Sequence, residues 1–331
     1  MRKGPRRFVV TRLDQPPLAS AKAPADVRAV CISHGLAPID LYDFDRSTAL
    51  SRIWGSVRSA LQLVASAARL VSADDVVVQY PVGRINELIL ARMKLGSRSV
   101  CIVHDLEMLR RPASARREEA TLSRFDVVVA HSEAMADVVR ATQPGRSVVV
   151  LEAFDFLGTR PTLPSAARPS CLYIFGNLKP DKAGYLYRLD TSDATPMVEV
   201  YGPHCEVDLL PNGVRWNGVL DPDQPSLGEI RGFGLVWDGD SPSTLAGPVG
   251  EYLKYNAPHK LSLYLALGIP VIVPSAAAIA PVVTRYGLGV CVASVEEALR
   301  VVESCSESRW EQLVQSARDG QRRVRSGEFL H

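Results

Sequence analysis

The chain has 331 residues, 47% hydrophobic and 22% charged, a globular composition too apolar for a disordered protein. Its 38 basic and 36 acidic side chains leave a net +2, which gives no global drive toward nucleic acid. Six cysteines (Cys31, Cys101, Cys171, Cys205, Cys291 and Cys305) form no C-x-x-C pair, which argues against a disulfide framework or zinc site and fits a reducing cytoplasm.

The first 28 residues carry Arg2, Lys3, Arg6, Arg7, Arg12, Lys22 and Arg28 against Asp14 and Asp26, seven minus two, a local +5. Two readings stand for this start: a solvated extension, or weak peripheral attraction to an anionic membrane surface. The apolar run Phe8-Val9-Val10 is too short for a signal peptide, and no run approaches a membrane span. Short apolar strands are predicted over 7–10, 29–33, 76–79, 99–103, 127–130 and 148–151, as continuous runs expected of strands buried on both faces. Between the second and third, Leu50, Ile53, Trp54, Val57, Leu61, Val64 and Val71 recur at helical spacing, which predicts a helix packing its apolar stripe into the core. Ser132, after the strand over 127–130, has the position of a helix cap.

Gly158, Pro161, Pro164 and Pro169 mark an interdomain linker. Beyond it, strands are predicted over 171–175, 197–201, 234–237, 271–273 and 290–292, and helices over 181–190, 259–267, 279–286, 295–304 and 307–324. Alternation of this kind predicts an α/β protein of two doubly wound, Rossmann-like domains. Their limits are 1–158 and 165–308, with a final helix over 309–331 returning to the N-terminal domain. Ligands of such folds bind at the carboxyl ends of the strands, so a facing pair of domains would place a site in a central cleft.

Chemistry concentrates in Tyr255 to Val273. Pro258 is suited to starting a helix and Gly268 to ending it. That arrangement puts His259 and Lys260 at a helix N-terminus, where dipole and ammonium act together on an anion such as a diphosphate. Tyr201-Gly202-Pro203-His204-Cys205 has too few ligands for a metal, and Asp238-Gly239-Asp240 lacks the rest of a calcium loop.

Pro258-x-Lys260-Leu261, followed by Tyr264-Leu265-Ala266-x-Gly268-x-Pro270-Val271-Ile272, resembles the donor-site helix of GT-B glycosyltransferases. The resemblance is closer to bacterial glucosyltransferases that extend sugars on serine-rich adhesins and to O-antigen galactofuranosyltransferases. Phe175-Gly176-Asn177-Leu178-Lys179, Tyr201-Gly202, Phe233 to Gly239 and His104 to Arg110 agree with that subgroup. Many GT-B enzymes place a ribose-binding Glu where this chain has Leu263, and the adhesin-glycosylating subgroup also lacks it.

The resemblance implies a GT-B enzyme transferring sugar from a nucleotide-sugar, a UDP-sugar by analogy, to a glycan or glycoprotein acceptor. It implies a donor site of Gly176, Asn177, Lys179, Tyr201, Gly202, Asn256, His259 and Lys260. Lys179 and Lys260 would neutralise the departing diphosphate without a metal or other cofactor. His104 and Asp105 end a strand, and an inverting enzyme needs a base there: Asp105, with His104 orienting, or the reverse. A plain helix-capping role for Asp105 is the alternative. Asp14, Arg84 and Arg110 complete the acceptor side. A nucleotide-sugar epimerase or a non-catalytic accessory subunit would share the architecture. Location in the cytoplasm, at the inner face of the membrane, is compatible with all of this, and homo-oligomerisation is left open.

Overall fold

The structure, a computed structural model, describes residues 6–15, 21–44, 48–158, 164–165, 167–191, 196–221, 225 and 227–330. The chain divides into two compact units, 1–151 and 152–329. The division falls ahead of the proline-rich stretch, because residues 152–158 pack within the second unit. Ser262 Oγ donates to the Phe154 carbonyl at 2.6 Å, and the Phe156 N–H donates to the Val324 carbonyl at 2.7 Å.

The first unit runs β1 (Arg7–Gln15), α1 (Lys22–Ser33), β2 (Ala37–Phe44), α2 (Ala49–Ala65), α3 (Ala67–Val71), β3 (Asp75–Tyr80), α4 (Arg84–Leu90), β4 (Arg98–Val103), α5 (Ala115–Leu122), β5 (Val127–Ala130), α6 (Glu133–Thr142) and β6 (Ser147–Val150). Its six strands are parallel in the order β2-β1-β3-β4-β5-β6. Val9, Val10, Val78, Cys101, Val103 and Val128 are buried, as a sheet covered on both faces requires. Ser132 Oγ accepts from the Met135 N–H at 3.0 Å and caps α6.

Two sequence expectations fail here. The run 29–33 is the end of α1, and the second strand is β2. Val27 and Val30 bury one face of α1, while β2 is an edge strand that buries Ile39 and Leu41 but not Asp40, so it lacks the continuous apolar run sought. The apolar stripe of α2 does not enter the core. Leu50, Ile53, Trp54, Leu61 and Val64 are between 55% and 69% exposed, and Val57 is 36% exposed. The face turned inward is Gly55, Ser59 and Leu63, with Ser59 Oγ accepting from Asn86 Nδ2 at 2.8 Å and Gln62 Oε1 accepting from the Tyr42 N–H at 2.9 Å. Small and polar groups pack and hydrogen-bond there, which leaves the large apolar side chains outside.

The second unit contains β7 (Cys171–Phe175), α7 (Pro180–Ala183), β8 (Met197–Tyr201), β9 (Val214–Trp216), β10 (Gly232–Leu235), α8 (Gly247–Tyr252), α9 (His259–Ala266), β11 (Val271–Pro274), α10 (Ala280–Arg285), β12 (Gly289–Val292), α11 (Val295–Ser304) and α12 (Glu307–Ser326). These strands are also parallel, in the order β12-β11-β10-β7-β8-β9. The chain order reverses between β7 and β10, the switch point at which ligands of doubly wound sheets bind.

Tyr264 occupies that switch point from α9. Its hydroxyl oxygen accepts from the Phe175 N–H at 2.9 Å and lies 3.0 Å from the Tyr173 and Leu235 carbonyls, one of which it donates to. The ring fits because residue 234 is glycine: a Cβ there would stand 2.2 Å from it. Helix α12 buries Trp310, Leu313, Ala317 and Val324 within the second unit, and Gln321 Nε2 donates to the Ala266 carbonyl at the end of α9.

Candidate functional site

Four loops at the carboxyl ends of β7, β8, β9 and β10 build the candidate donor site of the second unit. After β7, Gly176 has φ +127° and its N–H donates to the Tyr201 carbonyl at 3.1 Å. A Cβ at Gly202 would fall 1.7 Å from the Gly176 carbonyl oxygen, so the two loops approach only because residue 202 has no side chain. Asn177 Oδ1 accepts from the Lys179 N–H at 3.0 Å and fixes the turn leading into α7.

Lys260 passes directly beneath this turn: a Cβ on Gly176 would lie 3.0 Å from Lys260 Cε. Its ammonium donates to Asp238 Oδ1 at 2.7 Å and to the Trp237 carbonyl at 2.9 Å. Burial lowers the Lys260 pKa; Asp238 opposes that shift and the nearby Lys182 adds to it. The lysine is therefore already partnered by a carboxylate at the switch point. Lys179 is 57% exposed and pairs with Asp181 at 3.1 Å. Lys182, which sequence reading passed over, is the cation whose field reaches Lys260, and its spacing three residues after Lys179 was the available signal.

Pro258 takes the cap position of α9, one residue before the helix. The His259 ring stacks on Phe156 with centroids 5.0 Å apart and meets Phe154 edge-on at 6.4 Å, so it fastens residues 154–156 to α9. Asn256 Oδ1 is buried with no hydrogen-bond partner among the described residues. Leu263 is half-buried against the core.

Tyr201 turns its hydroxyl back to Glu199, donating to Oε2 at 3.0 Å, and sets its ring edge-on to Phe175. The aromatic exposed at this end of the sheet is Trp216. It is 40% exposed, and its Nε1–H donates to the Gly202 carbonyl at 3.0 Å. No signal for it was legible in the sequence, because β9 has only three residues and no apolar run. A separate cavity of about 460 Å³, lined by Ser243, Leu245, Lys254, Ser275 and Ala293 among others, contains none of the expected site residues.

In the first unit, His104 and Asp105 follow β4 as expected. His104 Nε2 lies 2.8 Å from Gln79 Oε1. The Gln79 amide nitrogen donates to Thr11 Oγ1 and to the Pro24 carbonyl, which can only accept. The amide oxygen is thereby turned to His104, so Nε2 carries hydrogen and Nδ1 is the basic nitrogen of the neutral ring. His131, fully buried behind it, has its pKa pushed down to about 4 by burial, against a hydrogen bond to the His104 backbone.

Asp105 does not cap a helix; the short 3-10 turn Glu107–Leu109 starts after Leu106. Its Oδ2 accepts from Arg110, while Oδ1 is buried with no hydrogen-bond partner among the described residues. Arg84 lies 3.6 Å from Glu107, and Arg117 bridges Glu107 and Glu87 at 2.7 Å each. Burial pushes Glu107 upward, but hydrogen bonding and charge from Arg117, with Arg84 and Arg111, hold it below the usual value. Glu118 carries the loop from below, accepting from the Glu107 and Met108 N–H groups and from the Tyr80 hydroxyl at 2.6–2.9 Å. Asp14 lies in β1, and its side chain is outside the described residues.

Two parallel doubly wound units, with a lysine-bearing helix and a glycine turn at the switch point of the second, are the architecture of the GT-B fold. Family models described as the N-terminal and C-terminal domains of glucosyltransferase 3-like proteins match residues 7–153 and 172–331, and the chain belongs to that family. It is 26% identical to beta-1,6-galactofuranosyltransferase WbbI of Escherichia coli (strain K12), over 84% of each chain. It is 28% identical to glucosyltransferase 3 of Streptococcus gordonii, over 77% of this chain and 76% of that one. Among solved structures it resembles an alpha-glucosyltransferase in complex with UDP (TM-score 0.55, 13% identity, 96% of each chain). Another is sucrose-phosphate synthase from Thermosynechococcus elongatus (TM-score 0.58, 11% identity, 96% and 95% covered).

Proposed function

We propose that this enzyme transfers a sugar from a UDP-sugar to a glycan or glycoprotein acceptor in bacterial surface-glycan synthesis. The observation that carries the reading is Lys260, held beneath the Gly176 turn at the switch point by Asp238. A diphosphate at this turn meets Lys260, Lys182 and Lys179, and the cations stabilise the charge that develops as the nucleotide leaves. Gly176, Asn177, Tyr201, Gly202, Asn256 and His259 shape the pocket around it. Trp216 offers its face to the base: it stands two strands from β7, about 10 Å, the reach of a ribose and a base.

Asp105 takes the proton of the attacking acceptor hydroxyl, with Arg110 holding its Oδ2 and His104 orienting the acceptor. Asp14 and Arg84 lie on the acceptor side. The reaction is a direct displacement at the anomeric carbon in which the lysines supply the positive charge a metal supplies elsewhere. The reading keeps the enzyme in the cytoplasm, which its six free cysteines support.

A melting-temperature screen with UDP, GDP and dTDP tests the donor class. UDP should raise the melting temperature at concentrations where the others do not, because a ligand that binds only the native state stabilises it. Hydrolysis of a UDP-sugar, unaffected by EDTA, should follow. Absence of any UDP-induced shift would overturn the donor assignment.

A further inference from the structure

We propose that α2 is a membrane-docking helix whose exposed apolar stripe lies in the interface of an anionic lipid surface. At 100° per residue, Leu50, Ile53, Trp54, Val57, Leu61 and Val64 fall within a single stripe about 100° wide. Every one of them is at least 36% exposed. The opposite side of the helix is seated on the unit through Gly55, Ser59, Gln62 and Leu63, so the stripe cannot turn inward without breaking the Ser59–Asn86 and Gln62–Tyr42 hydrogen bonds. The neighbouring α4, joined to α2 by that Asn86 contact, also exposes Ile85 and Leu88. Patches of this kind mark interaction sites, since a soluble surface gains nothing from displaying them.

Charge selects the occupant. Residues 48–73, which span α2 and α3, include Arg52, Arg58 and Arg69 and no Asp or Glu. On α4 and the turn after it, Arg84, Arg92 and Lys94 are exposed, and the one acid, Glu87, is buried in its ion pair with Arg117. A second copy docking by this same face would set the arginines of α2 against one another with no carboxylate on α2 or α3 between them. An anionic lipid surface complements the rim while its acyl boundary takes Trp54, Leu61 and their neighbours. Trp54, 68% exposed, is the residue type favoured at the headgroup level. The inference stands on surface chemistry alone, independent of the donor reading.

The test is vesicle flotation of the full chain with phosphatidylcholine alone and with admixed phosphatidylglycerol. The unmodified protein should float with the anionic vesicles, and its tryptophan emission should shift to the blue only while Trp54 is present. Trp54→Ser with Leu61→Ser should cut the bound fraction at least about tenfold, as loss of two buried apolar side chains implies. Arg58→Gln, at the edge of the stripe, should cut it about fivefold at low salt and less at high salt, and Arg52→Gln, on the seated side of the helix, should change it little. UDP-induced stabilisation should be unchanged in all of these, which separates this proposal from the donor site. Ile53→Ser with Val64→Ser serves as a second pair if the first does not fold. Failure of the unmodified protein to float overturns the proposal. So does a wild type that light scattering shows to be a dimer, made monomeric by the stripe variants and indifferent to vesicles.

Discussion

Lys260 Nζ sits 2.7 Å from Asp238 Oδ1, with the two side chains only 12% and 9% exposed. A lysine predicted to meet a diphosphate is thus stored against a carboxylate of its own unit. The arrangement holds the ammonium at the switch point, and it makes the pair a structural element as well as a binding one.

Removing one partner leaves the other buried and unpaired. Lys260→Ala should therefore lower stability by about 3 kcal/mol or more, while the double variant Lys260→Gln with Asp238→Asn should stay near wild type. Urea denaturation measures both. Donor binding separates the roles: the double variant should fold and still show no UDP-induced stabilisation. A stable double variant with full UDP affinity would show that Lys260 is structural only.

Trp216 should report on the nucleotide directly. Trp237 and Trp310 are fully buried and Trp54 is on α2 of the first unit, so quenching of emission by UDP at the donor site of the second should come from Trp216 and vanish in Trp216→Phe. Trp216→Leu should weaken UDP binding about tenfold, the usual worth of a base stacked on an aromatic. Isothermal titration of the leucine variant with UDP checks this, and an unchanged affinity would move the base elsewhere.

For the acceptor side, Asp105→Asn should lower kcat by about 10²–10⁴-fold with little change in donor KM, the range for loss of a general base. His104→Gln should raise acceptor KM more than it lowers kcat. The opposite pattern, with a pH–rate limb near the histidine range lost in His104→Gln, would hand the proton to Nδ1 of His104.

His131 makes stability depend on pH. Its folded pKa is about 4 against 6.5 for the free ring, so above 6.5 both states are neutral and the residue contributes no penalty. Between 6.5 and 4 the unfolded chain takes up a proton that the native state refuses, and stability falls with pH by up to about 3 kcal/mol. Urea midpoints from pH 7.5 down to 5 should fall less steeply in His131→Asn; parallel slopes would show the ring to be solvated.

Much of the fold was legible in the amino-acid sequence. The alternation of apolar runs gave two doubly wound units, and the residues from Pro258 to Val273 gave α9, its glycine end and the strand β11 almost to the residue. Pattern suffices there because those segments are buried on all sides, so burial appears as composition. The edge strands β2 and β9 escaped for the converse reason, β2 being half-solvated and β9 only three residues long.

The sequence by itself determined that Lys260 heads a helix and that a glycine turn follows β7, since local caps and periodicity fix both. Only the tertiary structure decided where the side chains went: Lys260 onto Asp238, Tyr201 back to Glu199, His259 onto Phe156, and Trp216 to the surface beside Gly202. The stripe of α2 is the clearest case. Helical periodicity states that six apolar residues share a face, but whether that face meets the core depends on what the other side packs against. Here a buried glycine packs on the other side, a serine and a glutamine hydrogen-bond there, and the apolar face is left to solvent or to a surface.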